Sequence, residues 1–163
     1  MRPHNLILAS LLVLSSSQSA FALSCTSDGW DIAKTYDAHA QSEYRIMFVT
    51  GRFHGEIPNR SGNALDKKTM TYPLAFKGKS IGKSGLKPLQ RKVTIVDTCF
   101  ASWCGGGPQI NQELIAAIKL EENGSLTLTS SPCSPNRFKH TGQNIELIQV
   151  CMKNGTCTPK NFQ

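Results

Sequence analysis

The 163-residue sequence has little from which an active site or a metal centre could be built. Beyond the first residues it has only three histidines, His39, His54 and His140, and none has metal-ligand spacing to another histidine or a cysteine. The two-residue redox spacing is also missing, since four residues separate Cys99 from Cys104. The glycine-rich "CGGGP" lacks the Lys-Ser/Thr of a phosphate-binding loop. We therefore expect no catalytic residue, metal or cofactor, and an enzyme is the least favoured class of function.

Only one long apolar run occurs, and it is too short to cross a membrane. Residues 6–14 follow Arg2 and precede a stretch of small residues that ends at Ala22. This order is typical of a secretory signal peptide. We expect residues 1–22 to be the signal and residues 23–163 to be one exported domain, either periplasmic or secreted.

The first residue of the exported chain can be assigned in more than one way. Cleavage after Ala22 leaves Leu23 first, and cleavage after Ser24 leaves Cys25 first. A lipid on Cys25 is a third alternative, disfavoured because polar residues 15–18 separate the apolar run from the cysteine. We favour Leu23 as the first residue.

All six cysteines follow the apolar run: Cys25, Cys99, Cys104, Cys133, Cys151 and Cys157. An even number in an exported chain predicts disulfides, here three with no free thiol. The residues themselves favour one pairing only, a local bridge across the Asn154-Gly155 turn, and the other pairings stay open.

Acidic residues are absent from residues 67–92, although eight basic residues lie there: Lys67, Lys68, Lys77, Lys79, Lys83, Lys87, Arg91 and Lys92. Such a stretch can attract an anionic partner. The alternative is a solvated, lysine-lined strand edge that opposes aggregation. Aromatic residues are not interleaved as a stacking groove for single-stranded nucleic acid requires, since only Tyr72 and Phe76 occur there.

Alternating apolar residues and turn signals predict a β-rich domain. Pro73 places the second strand at an edge or at a bulge, and Asn123-Gly124 is a hairpin turn that pairs the last two strands. We expect a short helix or turn within residues 26–42, a loop at residues 84–89, a second loop at residues 99–109 and a helix at residues 141–151. The predicted strands are residues 43–55, 69–82, 90–99, 113–120 and 125–130. Five such strands suggest an all-β, closed barrel with short helices.

Four features in this order resemble the netrin-like domain of the tissue inhibitors of metalloproteinases and their bacterial relatives. They are Cys25 soon after the signal, "EYRIMFVTGRF", "PLAFKGKSI", and "SWCG" followed by the hairpin "LTLTSSPCSPNRF". The resemblance extends over residues 25–157 and implies a five-stranded OB-type barrel. It also implies a bridge from Cys25 to Cys104 or Cys133, with Cys99 bonded to the one that remains.

The same resemblance implies an inhibitory edge, in which the α-amine and carbonyl of a first-residue cysteine chelate the zinc of a protease. By position, the edge consists of Cys25, Thr26, Ala101, Ser102, Trp103 and Cys104. The family begins with Cys-x-Cys, whereas this chain has Ser27. Cleavage before Leu23 would also turn the Cys25 amine into an amide nitrogen, a poor zinc ligand. We therefore expect no strong protease inhibition.

Together these features predict an exported, disulfide-stabilised binding module that recognises a protein or an anionic polymer without catalysis. The alternative is a metalloprotease inhibitor that acts through Cys25 and residues 101–104. Trp103 would anchor a partner if exposed, or else cap the open end of the barrel. The candidate binding residues are the six of the inhibitory edge together with Lys67, Lys68, Lys77, Lys79, Lys83 and Lys87.

Overall fold

The computed structural model describes residue 25 and residues 31–59, 68–100 and 103–157. The expected signal peptide, Thr26, Lys67, Ala101 and Ser102 lie outside these residues, and of Lys68 only the backbone is described. The elements are α1 (Ile32–Ala40), β1 (Arg45–His54), β2 (Lys68–Gly82), β3 (Gly85–Phe100), β4 (Trp103–Cys104), β5 (Glu113–Leu120), β6 (Leu126–Ser130), β7 (Arg137–Lys139) and α2 (Gly142–Asn154).

Five of the strands form one sheet that closes into a ring. Their order is β1-β2-β3-β6-β5, and β5 pairs back to β1. The β3–β6 pair is parallel, and the other neighbours in the ring are antiparallel. Two short strands lie off the ring, β4 on β3 and β7 on β5.

One apolar cluster fills the inside of the ring. Alternate residues of the strands contribute to it because successive side chains of a strand point to opposite faces. Its central members are fully or almost fully buried: Val49, Phe53, Tyr72, Leu74, Phe76, Val93, Ile95, Ala116, Ile118, Leu126 and Leu128. The rings of Phe53 and Phe76 lie 5.1 Å apart between centroids.

A second apolar cluster joins the two helices to the outside of the sheet. Ile32 of α1 and Ile148 of α2 pack with Phe48, Ile81, Ile115, Ala117 and Phe138. Asp31 caps the start of α1 and Thr141 caps the start of α2, each through its side chain. The two helices therefore cover one face of the sheet and reach Ile81 near the far end of the β2–β3 hairpin.

Two glycines let β1 approach both of its neighbours. Val49 to Arg52 pair with β2 and with β5 at once, and Gly51 lies opposite Gly78 of β2. A Cβ atom on Gly78 would lie 2.2 Å from the Thr50 carbonyl oxygen, and one on Gly51 would lie 2.5 Å from the Lys77 carbonyl oxygen. A side chain at either position would therefore force the strands apart.

The predicted strands and helices are all present, but one predicted loop is wrong. Residues 84–89 were expected to be irregular because serine, glycine and proline are turn residues. Instead, Lys83 and Ser84 form a two-residue turn, and β3 begins at Gly85. The ladder with β2 continues through Pro88, which lies opposite Lys79. Strand β3 therefore extends well beyond its predicted start.

Pro73 lies where an edge was predicted. It pairs with Thr94 of β3, but β1 joins β2 only from Ala75 onward. The predicted loop of residues 99–109 is partly wrong, since it contains the short strand β4. Pairing with the end of β3 extends the ladder into this segment.

The three disulfides are Cys25–Cys133, Cys99–Cys104 and Cys151–Cys157, and none of the six cysteines is free. The predicted number and the local bridge are confirmed, as are the two pairings that the resemblance implied. Within the described residues, neither helix is long and apolar enough to cross a membrane.

Candidate functional site

Four of the predicted lysines lie at the far end of the β2–β3 hairpin, residues 77–90, which we call the distal hairpin. Lys77 and Lys79 lie on β2, Lys83 lies in the turn, and Lys87 lies on β3. All four side chains are exposed. Lys68 is at the opposite end of β2, where its backbone lies opposite Cys99, so the predicted set is divided between the two ends of the strand.

Residues 81–90 of the distal hairpin extend past both flanking strands, whereas residues 77–80 pair with β1. Strand β6 reaches β3 only over residues 93–97, and β1 reaches β2 only over residues 75–80. Within the described part of the chain, its four lysines have no ion-pair partner. The hairpin therefore presents cations that form no ion pair with an acid of the described residues.

A groove of about 610 Å³ lies at the base of the distal hairpin. Strands β1 and β2 form its floor, and the segment that leads into α2 borders it. Its lining residues are Thr50, Gly51, Arg52, His54, Lys77, Gly78, Lys79, Leu86, Glu113, His140 and Ile145.

The strand register places the charged groups of this groove in a row. Arg52 lies directly between Lys77 of β2 and Glu113 of β5. An Nη2 atom of Arg52 is 3.8 Å from Oε2 of Glu113, and both side chains are about half exposed. Lys79 lies two pairs further along β2, opposite Thr50. The groove therefore has three cationic side chains and one carboxylate.

Two histidines at the groove are held by hydrogen bonds. Nδ1 of His140 is 2.7 Å from the hydroxyl oxygen of Thr50, which is buried. Nδ1 of His54 is 2.7 Å from Oδ1 of Asn111. In both rings Nδ1 is engaged, which leaves Nε2 as the nitrogen that can meet a ligand.

A separate surface is formed by two exposed aromatic residues. Phe100 at the end of β3 pairs with Trp103 of β4, and their relative exposures are 56% and 53%. The adjacent pair, Cys99 and Cys104, is joined by a disulfide. Trp103 therefore does not cap an end of the ring; it projects from it beside Phe100.

The loop that follows this aromatic pair is fixed by its backbone. The Gly105 amide donates to the Thr98 carbonyl, and the Gly107 amide donates to the carboxylate of buried Asp97. The Arg137 guanidinium donates to the carbonyls of Gly105 and Gly107, both at 2.7 Å. The backbone of "CGGGP" thus packs closely against the end of the ring, since a Cβ on Gly105 would overlap β6.

The predicted inhibitory edge is only partly described. Cys25 is bonded to Cys133 in the loop between β6 and β7, whereas Cys104 is bonded to Cys99. No disulfide therefore joins Cys25 to the segment that contains Trp103. Among the described residues, no group of three His, Cys, Asp or Glu side chains could hold a metal ion.

The groove residues Arg52, His54 and His140 were not predicted as site residues. Alternation along β1 would have placed Arg52 and His54 on one face. His140 has no such signal, because it comes beside Thr50 only through the pairing of β7, which it follows, with β5.

No protein-family model, curated protein or solved structure matches the chain. The candidate surfaces are therefore argued from the geometry and charge of the chain itself. They are the distal hairpin, the groove at its base and the Phe100–Trp103 pair.

Proposed function

We propose that this chain is an exported binding module that holds an anionic polymer on its distal hairpin. The observation that carries the proposal is the exposure of Lys77, Lys79, Lys83 and Lys87 on one projecting hairpin, in a stretch of sequence without acids. The three disulfides are typical of an exported chain. Secretion and residence in the periplasm both fit this proposal.

We assign the ring of strands to the OB type. Two features support the assignment: the order β1-β2-β3-β6-β5 closed by β1, and the parallel pairing of β3 with β6. The OB fold is a five-stranded, partly open Greek-key barrel. The order of motifs that resembles the netrin-like domain supports the same class, which we propose for the chain.

A hairpin lined by flexible lysine side chains suits a polymer better than one small ligand. Each lysine is a hydrated point charge with rotatable donors, so it adapts to charges at varied spacing. The attraction between exposed charges decays over about 8 to 10 Å at physiological salt. Binding is therefore expected to be tight at low salt and to weaken steeply as salt is added.

Heparin chromatography tests this proposal. We expect the mature chain to be retained, and a variant with Lys77, Lys79, Lys83 and Lys87 changed to Gln to elute at clearly lower salt. Far-ultraviolet circular dichroism should show that the variant is folded, because all four side chains are exposed. Elution of both proteins at the same salt concentration would mean that the lysines form only a solvated strand edge.

A second proposed function is recognition of a protein through the Phe100–Trp103 pair. Exposed aromatic side chains on a rigid support are common anchors in protein interfaces. A photo-crosslinking residue in place of Trp103 should yield a discrete adduct in the exporting cell. The matched control is the same residue in place of Tyr44, which is 60% exposed and lies just before β1. Equal labelling from both positions would argue against a specific partner.

Metalloprotease inhibition remains a weaker proposal. It needs a free α-amine on Cys25 beside the segment of residues 101–104, and the bridge from Cys25 runs to Cys133 instead of Cys104. We expect no tight inhibition of zinc proteases by a chain that starts at Leu23. Stoichiometric inhibition by that chain would make metalloprotease inhibition the favoured function. Inhibition only by a chain that starts at Cys25 would mean that the position of signal cleavage controls inhibition.

A further inference from the structure

We infer that the groove at the base of the distal hairpin is a discrete site for one phosphate or sulfate group, bound by Arg52, Lys77 and Lys79. The inference rests on the proposed function in one respect: the bound group is taken to be a charged unit of the polymer. It adds a defined anion site to what is otherwise a mobile array of lysines.

The first argument is the unfavourable placement of two cations. Arg52 and Lys77 lie directly opposite each other on neighbouring strands, on the same face of the sheet. Like charges in this position destabilise a sheet. Glu113 offsets this only in part, because its carboxylate is 3.8 Å from Arg52 and half exposed. An anion between Arg52 and Lys77 would remove the remaining repulsion.

The second argument is the set of hydrogen-bond donors. The Arg52 guanidinium is a planar fork that can hold two oxygens of one phosphate or sulfate group. Lys77 and Lys79 add point charges from the neighbouring strand. His140 is oriented by the buried hydroxyl of Thr50, and its Nε2 has no hydrogen bond within the described residues. Donors from three directions suit a group with several oxygens.

The third argument is that apolar groups line part of the groove. Leu86 of the hairpin and Ile145 of α2 line the groove, and the backbones of Gly51 and Gly78 form part of its floor. A volume of about 610 Å³ lies within the range of small-molecule sites. The groove can therefore accept the anion together with the unit that carries it, whereas Lys83 and Lys87 lie outside this lining.

The test titrates the mature chain with inorganic phosphate, inorganic sulfate and a sulfated heparin disaccharide, observed by amide chemical shifts. We expect saturable shifts at residues around Arg52, Lys77 and His140. The double variant Arg52→Gln/Lys77→Gln should weaken binding of the preferred anion about tenfold or more. The matched control Lys83→Gln/Lys87→Gln, which also removes two cations, should change it by less than about twofold.

The preferred probe identifies the source, since phosphate and the sulfated disaccharide compete for the same donors. Equal weakening by both double variants, or shifts spread along the whole hairpin, would overturn the discrete site. Loss of heparin retention in the Lys83/Lys87 variant without any groove binding would keep the proposed function and reject the groove. Saturable phosphate binding in the groove without heparin retention would keep the groove site and reject the proposed function.

Discussion

Strands β2 and β3 serve two different purposes along their length. Near the ring, alternate residues such as Leu74, Phe76 and Val93 are buried in the core. Beyond Lys77 the same two strands form the distal hairpin, whose side chains are mostly exposed or half-buried and whose charges are all positive. The hydrogen-bonded ladder is continuous across both regions.

The difference between the two regions comes from their neighbours. The ring region is flanked by β6 and contacts β1, so its inward side chains are covered on all sides. The distal hairpin has no β6 partner and pairs with β1 only over residues 77–80, and the helices cover Ile81 near its tip. The buried apolar core of the ring region can therefore support a set of exposed cations that are able to contact a ligand. Substitutions in the ring region should therefore lower stability, whereas substitutions of the lysines in the distal hairpin should weaken binding.

The largest expected effect is on the ring region. Phe76→Ala removes a fully buried ring that packs on Phe53, and should lower the free energy of unfolding by about 3–5 kcal/mol. Leu86→Ala in the distal hairpin is the matched control, since Leu86 is 38% exposed, and should cost less than about 1 kcal/mol. Urea unfolding measures both. Similar losses would mean that the distal hairpin belongs to the core.

A smaller effect is expected at the loop that closes the end of the ring. Arg137→Met removes two charged hydrogen bonds to the Gly105 and Gly107 carbonyls and should cost about 2 kcal/mol. Hydrogen exchange should accelerate at the Gly105 and Gly107 amides and stay unchanged in the distal hairpin. Arg91→Met, which loses one exposed hydrogen bond to Gly124, is the control with an expected cost under about 0.5 kcal/mol. Faster exchange in both regions would show that they are coupled.

The smallest effect concerns acid pH at the β5–β6 turn. Hydrogen bonds from Lys119 and Thr127 hold the pKa of Glu121 below its ordinary value. The carboxylate therefore contributes stability above its unfolded-state pKa, and this contribution is lost as pH falls through the folded-state pKa. Glu121→Gln should be slightly less stable than the wild type at neutral pH, with the difference disappearing in acid.

The control for this titration is Glu122→Gln, which changes the adjacent exposed acid. Thermal unfolding from pH 7 to pH 3 should show a pH-dependent difference only for Glu121→Gln. The same dependence in both variants would assign the effect to the net charge of the turn, with no role for the Lys119–Glu121 pair.

Much of the fold could be predicted because its signals are local. Alternation defined β6, the Asn123-Gly124 turn required β5 as its strand partner, and Asn154-Gly155 indicated the Cys151–Cys157 bridge. The loop at residues 84–89 was mispredicted because Gly85 and Pro88 are turn residues by composition, whereas their partners on β2 keep them in a ladder. Register across strands is a tertiary property that local composition does not carry.

The candidate site was predictable only in part for the same reason. The lysines of residues 77–87 lie close together in sequence, and their charge is visible without a structure. The groove needs Arg52 of β1, Glu113 of β5 and His140 before α2 to meet beside Lys77. Only the pairing of β1 with β2 and β5 and the pairing of β7 with β5 bring these residues together.

The salt dependence of heparin affinity tests the central claim most directly. The wild type, Lys83→Gln/Lys87→Gln and Lys139→Gln/Lys153→Gln should be compared, because both variants remove two exposed lysines and have the same net charge. If the distal hairpin holds the polymer, its variant should bind more weakly and show a shallower slope of log affinity against log salt, because fewer counterions are released. The Lys139/Lys153 variant should match the wild type. Equal losses of affinity and slope in the two variants would contradict the claim and leave only a general attraction to a basic protein.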